Sequence, residues 1–245
     1  MSRPIGFSTG SLARSDFRAA LAALDESSAT AVELSALRED ELAELIRALP
    51  SLDLDRFDYV SFHAPSALRG ITEASLVELL DPARVRGLPI IVHADLIADV
   101  SLWRGFAGQL LIENMDKRKP TGRAAWELRP LMAALPDARM CFDFAHARQI
   151  DPTLCEAMLI LREFGARIGQ LHISELTTAS RHEPLSYAGI LALREVALLM
   201  PPRVPVILEF DARPDELNGH LELARSLFPG AVRRPSSGPQ LEPSR

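Results

Sequence analysis

Histidines and carboxylates recur in this sequence at the ends of short apolar segments. They are His63 in SFHAP, His93 in VHAD, Glu113 in IENMD, Asp143 and His146 in DFAHA, His172 in LHISE, His182 in RHEPL and Glu209 in ILEF. Imidazole nitrogens and carboxylate oxygens are ligands that suit Zn²⁺, Mn²⁺ and Fe²⁺. Carboxylates packed close together resist ionisation unless a cation lies between them. The pattern therefore predicts a divalent-metal site and metal-assisted chemistry.

The apolar segments have the length and composition of strands buried on both faces. Each holds about five residues rich in Ile, Val, Leu or Phe, as strands of parallel sheets do. The predicted strands cover residues 4–9, 31–35, 59–63, 89–93, 109–113, 139–143, 168–172 and 204–209. Between them, segments such as SDFRAALAALDES and EDELAELIRAL repeat apolar residues at i, i+3, i+4 and i+7, which indicates helices with one buried face.

Eight strands that alternate with helices predict an α/β fold with a parallel sheet. The main alternative is a doubly wound open sheet, but GFSTGSL after the first strand does not match G-x-G-x-x-G. The 245 residues are close to the roughly 250 of one barrel. We therefore predict a single (β/α)₈ TIM barrel over residues 1–229. Residues 230–245 lose the apolar period, and we predict a disordered C-terminal tail there.

Composition narrows the class of protein. The net charge of −6 gives no electrostatic help in holding nucleic acid, although one local basic groove could outweigh it, so a nucleic-acid substrate is disfavoured but left open. No run of 18 apolar residues exists, which predicts no membrane span. The N-terminus lacks the pattern of a signal peptide, and two cysteines indicate no disulfide framework. We expect a cytoplasmic protein.

The barrel prediction explains why the polar residues lie at strand ends. The active site of such a barrel lies at its C-terminal face, where the strand ends meet the loops. Taken alone, a histidine at a strand end is more often a hydrogen-bonded residue than a ligand, but six consecutive strands with such residues argue against coincidence. The second strand also offers Glu33, while Cys141 is interpreted as a core residue below Asp143 and His220 as a residue of a helix surface.

Basic residues cluster in the predicted loops at the same face. They could bind a phosphate or carboxylate of a substrate, and a solvated charged loop is the equal alternative. The candidates are Lys117, Lys119 and Arg123 in MDKRKPTGR, together with Arg148 and Arg181.

The motifs SFHAP, VHAD, IENMD, DFAH, LHISE, RHEPL and ILEF, in this order, resemble the xylose-isomerase-like (β/α)₈ barrel superfamily. The resemblance spans about residues 4–228. This superfamily includes sugar phosphate isomerases and epimerases as well as endonuclease-IV-like AP endonucleases. It supports the predicted fold strongly and one particular reaction only weakly.

For the epimerase branch, the resemblance implies one divalent ion held by Glu113, Asp143, His172 and Glu209. His146 would bind substrate. The two glutamates would form the acid–base pair that moves a proton on either side of an enediolate. Glu113, Glu209 and His146 are therefore the expected catalytic residues.

For the nuclease branch, the resemblance implies three zinc ions. One would use His63 and His93 with the glutamate of strand five, and a second would use the four residues of the epimerase set. A third would use His146, His182 and an Asp two residues before His182, but this sequence has Ser180 there. A related branch of multinuclear non-haem iron oxidative enzymes uses a similar ligand set.

We expect a metal-dependent enzyme that isomerises or epimerises a small, anionic, sugar-like substrate through an enediolate. The short loops, the acidic chain and the incomplete third site favour this interpretation. Phosphoester hydrolysis of the endonuclease-IV kind is the first alternative, iron-dependent oxidation the second, and a barrel that only binds a ligand the third. The expected cofactor is Mn, Zn, Mg or Fe, one to three ions per chain. The oligomeric state is left open, with a homodimer as one alternative.

Overall fold

Eight parallel strands form a closed barrel in the computed structural model, which describes residues 3–13 and 16–228. Each strand pairs with its neighbours in sequence, and the last pairs with the first through Ile5↔Val206 and Phe7↔Leu208. The prediction of a single (β/α)₈ barrel is thus confirmed. The barrel strands are β1 Ile5–Ser8, β2 Ala31–Ser35, β3 Tyr59–His63, β4 Ile90–His93, β5 Leu110–Glu113, β6 Arg139–Asp143, β7 Ile168–Ile173 and β8 Val206–Leu208, and a separate antiparallel pair joins Glu175–Leu176 to His182–Glu183.

Helices surround the barrel and cover its outer face. The two predicted helices are confirmed as α2 and α3: Asp16 caps α2 by accepting from the backbone N–H of Ala19, and α3 buries Leu42, Leu45 and Ala48. The helices of the described residues are α1 Thr9–Leu12, α2 Phe17–Asp25, α3 Glu39–Ala48, α4 Glu73–Leu79, α5 Asp81–Val85, α6 Val100–Trp103, α7 Ala125–Ala134, α8 Phe144–Ile150, α9 Cys155–Phe164, α10 Tyr187–Ala197 and α11 Leu217–Leu227.

Successive strand residues alternate between the helix layer and the barrel interior, as the two-residue period of a strand requires. In β4, Ile90 and Val92 belong to the main core between strands and helices. Ile91 belongs instead to a separate interior cluster with Leu111 and Cys141. Cys141 therefore packs low in the barrel, as predicted. The next inward position on each of these three strands is its last residue, and each is a predicted ligand.

The loop after β5 bends sharply at Gly122 and folds back against the loop after β4. Gly122 has φ +81°, and a Cβ there would lie 2.5 Å from the Cβ of Ala94. The backbone N–H of Met115 donates to the Gly122 carbonyl over 2.8 Å. Only glycine combines this backbone conformation with so close an approach. The turn thus fixes the loop that borders the strand ends.

The described barrel runs to Phe228. The predicted tail, residues 230–245, lies outside the described residues and stays a prediction. None of the helices in the described ranges is long and apolar enough to cross a lipid bilayer.

Candidate metal centre

Glu113, the last residue of β5, lies at the middle of the strand-end cluster and is 1% exposed. Its two carboxylate oxygens face different partners. Oε2 lies 3.1 Å from Nε2 of His63 and 3.4 Å from Nε2 of His93. Oε1 lies 3.2 Å from Nδ1 of His172. One carboxylate therefore joins two groups of candidate ligands.

Two overlapping donor sets share this carboxylate. The histidine-rich set is His63, His93 and Glu113, and the four-residue set is Glu113, Asp143, His172 and Glu209. In each set, one ligand atom from every residue lies within 4.8 Å of the others. Atoms that bind one ion at about 2.1 Å lie roughly 3–3.5 Å from one another, so both sets are close to a coordinating arrangement. The structure thus brings six predicted ligands together.

Asp143 supplies the clearest test of whether an ion fits. Its Oδ1 caps α8 by accepting from the backbone N–H of His146 over 2.6 Å. Its Oδ2 is buried and has no hydrogen-bond partner among the described residues. A buried carboxylate oxygen without a partner is costly, and three carboxylates meet here. A divalent cation would bind that oxygen and offset the negative charge, so the four-residue set fits a metal ion.

Electrostatics separates the members of the four-residue set. Burial, together with the charges of Glu209 and Glu113, raises the pKa of Asp143 well above its usual range. Burial also opposes the charge of the two glutamates, but the His172 imidazole lowers the pKa of each below its usual range. Burial would lower the pKa of His172, yet Cys141 and the surrounding carboxylates raise it well above its usual range. The carboxylates around His172 therefore favour its charged form in the absence of a metal.

The two histidines of the other set differ in charge. Burial lowers the pKa of His93 to about 3 against the opposing charge of Glu113. Burial also disfavours a charge on His63, but the hydrogen bond to Glu113 and nearby carboxylate charges raise its pKa to about 9. His93 is therefore neutral at pH 7, and its Nδ1 has no hydrogen-bond partner in the described chain. Neutral imidazole is the form that binds metal ions.

His146 and His182 lie beside the two sets, with ring centroids 5.5 Å apart. Nδ1 of His146 lies 2.8 Å from the Asn114 carbonyl, to which it donates, so Nε2 is left for other partners. Nδ1 of His182 lies 2.8 Å from the hydroxyl of Ser174. Within the described residues, neither histidine joins a group of three ligands within 4.8 Å. Their role as metal ligands stays a prediction.

Ser180 takes the place where the nuclease branch implies a third carboxylate. Its backbone has φ 56°, in the left-handed region, and its hydroxyl donates to the side-chain oxygen of Gln149 over 3.1 Å. A hydroxyl in this position contributes no negative charge to a metal site. The pair of histidines therefore lacks the acidic partner that the resemblance implies.

A pocket of about 430 Å³ opens above the two donor sets. Its lining includes His63, His93, Glu113 and Glu209 from the sets, and also His146 and His182. Leu37, Ala67 and Met115 add apolar surface to the wall, and Arg118 and Lys119 add positive charge. The pocket is therefore large enough for a small molecule that contacts the candidate ligands, and both of its cations are paired with acids, Arg118 with Asp116 and Lys119 with Asp95.

Lys119 is the predicted substrate-binding residue that lines this pocket. Its Nζ donates to the Asp95 carboxylate over 2.9 Å and to the Ser66 carbonyl over 2.6 Å. It therefore ties together the loops after β3, β4 and β5. Arg118 also lines the pocket, with its guanidinium paired to Asp116.

The other predicted substrate-binding residues have protein partners outside the pocket lining. Two are salt-bridged, one donates to a backbone carbonyl, and one is held through its backbone N–H. The pairs are Arg123 with Glu127, Arg148 with Glu175, Lys117 with the Thr178 carbonyl, and Arg181 with the Thr177 hydroxyl. Their contact with a substrate stays a prediction.

A buried polar network lies beneath the centre, and the sequence patterns did not predict it. Nε2 of His172 lies 2.9 Å from Oε2 of Glu33. The Gln170 amide donates to the same oxygen over 2.6 Å, and the Tyr59 hydroxyl donates to the Gln170 side-chain oxygen over 2.9 Å. The available signal was position, because Gln170 precedes His172 by two residues and so shares its face of β7.

The solved structures that resemble this chain support the fold. No family model matches the sequence, and no curated protein matches it. Endonuclease IV from Thermus thermophilus is 21% identical with a TM-score of 0.60, over 92% of this chain and 98% of that one. The chain therefore shares the (β/α)₈ barrel fold of this structure.

Other solved structures with this barrel fold carry different activities in their names. The 3-keto-D-glucoside 4-epimerase of E. coli is 14% identical with a TM-score of 0.54, over 92% of this chain and 100% of that one. A sugar phosphate isomerase/epimerase from Parabacteroides distasonis ATCC 8503 is 10% identical with a TM-score of 0.52, over 92% of this chain and 96% of that one. The likeness therefore establishes the barrel and not the reaction.

Proposed function

We propose that this chain is a metal-dependent enzyme that hydrolyses a phosphoester in a small anionic substrate, and that the two donor sets sharing Glu113 would each hold a divalent ion. The observation that carries the proposal is the division of the Glu113 carboxylate. One oxygen faces His63 and His93, and the other faces His172. Two-ion sites of this kind act on both the attacking and the leaving oxygen of a phosphoester.

The histidine-rich set would hold one ion and the four-residue set the other. Mixed imidazole and carboxylate ligands favour Zn²⁺, Mn²⁺ or Fe²⁺ over Mg²⁺. When bound, such ions would lower the pKa of a water molecule and offset negative charge on a phosphoryl oxygen. If the purified protein contained iron as its only metal, that result would favour the iron-dependent oxidative alternative.

The remaining steps fall to side chains of the pocket. Lys119 and Arg118 would attract an anionic substrate and orient it above the strand ends. His146 lines the pocket and donates through Nδ1 to the Asn114 carbonyl, so its unprotonated Nε2 can accept a proton from the attacking water molecule. His182 contacts the Ser174 hydroxyl through Nδ1 and lies beside His146, where it could assist the same proton transfer.

Isomerisation or epimerisation is the second candidate, and a separate observation favours it. Glu113 and Glu209 approach the same nitrogen, Nδ1 of His172, each at 3.2 Å. Two converging carboxylates could move a proton on either side of an enediolate. This reaction needs only the four-residue set, whereas two-ion hydrolysis also needs His93.

The His93→Ala variant separates the two candidates. We would assay the chain, loaded with Zn²⁺ or Mn²⁺, on bis(4-nitrophenyl) phosphate and 4-nitrophenyl phosphate, and in parallel on a panel of ketoses and ketose phosphates. We expect phosphoester hydrolysis that falls at least about 100-fold in His93→Ala and is unchanged in the surface control Glu44→Gln. Sugar turnover that survives in His93→Ala, with no hydrolysis by either chain, would overturn the hydrolase in favour of the isomerase.

A further inference from the structure

His172 has two ring nitrogens in different surroundings. Nδ1 faces the Glu113 and Glu209 carboxylates, and Nε2 faces Glu33. A histidine that binds an ion through one nitrogen needs its other nitrogen held by a hydrogen-bond acceptor, which fixes the ring and the position of its proton. Glu33 is the carboxylate in contact with that second nitrogen.

One oxygen of Glu33 is held in place, while its Oε1 is buried with no hydrogen-bond partner among the described residues. Glu33 lies in the middle of β2, is fully buried, and pairs in register with Ser8 of β1 and Ser61 of β3. Its Oε2 also accepts from the Gln170 amide, which is anchored in turn by the hydroxyl of Tyr59. A carboxylate so constrained can impose an orientation on its neighbour.

The position of Gln170 explains why a carboxylate is needed at Glu33. The Gln170 amide nitrogen lies 2.7 Å from Nε2 of His172. If that amide donated to Nε2, the ring proton would lie on Nδ1, which could then not bind an ion. The negative charge of Glu33 favours the opposite arrangement, because its oxygen accepts from both the amide and a protonated Nε2.

A purely structural reason for this carboxylate is hard to find in the barrel. Barrel interiors are usually filled by apolar side chains. The inward-facing residues Ile91, Leu111 and Cys141 of β4, β5 and β6 follow that rule. A fully buried carboxylate outside both donor sets is costly in such an interior. Its contact with His172 gives it a function.

We propose that Glu33 is a positioning residue of the metal centre, which holds His172 with Nδ1 free to bind the ion of the four-residue set. The proposal rests on the proposed function only in requiring that this set binds a divalent ion. Glu33 itself touches neither the substrate nor the ion.

The test compares Co²⁺ binding to the metal-free wild type and to Glu33→Leu, Glu33→Gln and Tyr59→Phe. Affinity would be measured by competition with a chelating dye, coordination by the visible absorption of bound Co²⁺, and folding by circular dichroism. Glu33→Leu removes the acceptor, Glu33→Gln keeps an acceptor oxygen without its charge, and Tyr59→Phe disturbs the same network away from His172.

We expect Glu33→Leu to weaken Co²⁺ binding at the four-residue set about 10- to 100-fold and to change the absorption spectrum of the Co²⁺ bound there. Glu33→Gln should recover part of that loss, and Tyr59→Phe should bind Co²⁺ within about twofold of wild type. If Glu33→Leu does not fold, the comparison uses the other two variants. A lower Co²⁺ affinity in Glu33→Gln than in Tyr59→Phe still supports the positioning role.

Wild-type affinity and spectrum in a folded Glu33→Leu or Glu33→Gln would overturn the proposal, and so would equal weakening in all three variants. Because the readout is binding, it is independent of turnover. A wild type that binds Co²⁺ but hydrolyses no phosphoester defeats the proposed function alone, and one that binds no Co²⁺ defeats both.

Discussion

The two donor sets share Glu113 but differ in charge and depth. The four-residue set has three carboxylates and one imidazole, and both Asp143 and His172 are fully buried. The histidine-rich set has one carboxylate and two imidazoles, and His93 borders the pocket. Uncompensated negative charge is therefore concentrated in the deeper set. We infer that the deeper set binds its ion more tightly and that the outer ion exchanges more readily.

Both sets contain one histidine whose charged form is favoured in the metal-free chain. In the deeper set the pKa of His172 is raised, and in the histidine-rich set the pKa of His63 is raised to about 9, whereas that of His93 is lowered to about 3. An ion at either set therefore competes with a proton, and metal binding at both should weaken as the pH falls.

The largest expected effect comes from the residue that the sets share. Glu113→Gln should reduce bound metal from about two ions per chain to fewer than one, and turnover by at least about 10³-fold, because the amide removes the bridging charge. Glu209→Gln should lose only the ion of the four-residue set, because, of the two sets, Glu209 belongs to that one alone. Elemental analysis and steady-state kinetics check both variants. Equal metal loss in the two variants would break the distinction between the sets.

Asp143→Asn is expected to have a smaller effect. It should stabilise the metal-free chain but weaken metal binding. The amide oxygen can still cap α8, but the buried charge is lost. The metal-free variant should be more stable than the metal-free wild type by roughly 1–3 kcal/mol, the range for relieving an unsatisfied buried polar group. Its affinity for the inner ion should fall by at least about 100-fold.

Thermal unfolding with and without Zn²⁺ measures both effects of Asp143→Asn. Asp143 has a raised pKa when folded, so it costs stability wherever the unfolded chain is ionised, which includes pH 7. A metal-free variant less stable than wild type would show that Asp143 is a structural residue and not a ligand.

The smallest effect is expected at the pocket wall beside the histidine-rich set. Lys119→Met should raise KM for an anionic substrate roughly 3- to 10-fold with the metal content unchanged, because the cation on the wall is lost. Lys117→Met is the matched control, since Lys117 is bonded to the Thr178 carbonyl outside the pocket lining. Equal KM values for the two variants would remove Lys119 from substrate binding.

Sequence could predict the barrel and its ligand positions because one regularity encodes both. Apolar strands and amphipathic helices alternate eight times, and polar residues such as His93 and Glu113 end the strands that closure brings together. Strands β2, β3 and β6 have the predicted bounds. The inward position of Cys141 followed from its two-residue spacing to Asp143.

Sequence could not predict which residues meet across the barrel. Glu33 was visible on the second predicted strand, but its contact with His172 spans 139 residues and depends on barrel closure. The two oxygens of Glu113 likewise divide between partners in a way that only side-chain geometry reveals. The basic cluster had no spacing signal to separate Lys119, which lines the pocket, from Arg123, which pairs with Glu127.

Metal stoichiometry tests the central claim most directly. We would load the wild type and His93→Ala with Zn²⁺, remove free metal by gel filtration, and count the bound ions by elemental analysis. The shared-carboxylate arrangement predicts about two ions per wild-type chain and about one per His93→Ala chain. One ion in both chains would contradict the two-ion centre and leave the four-residue set as a single-metal site.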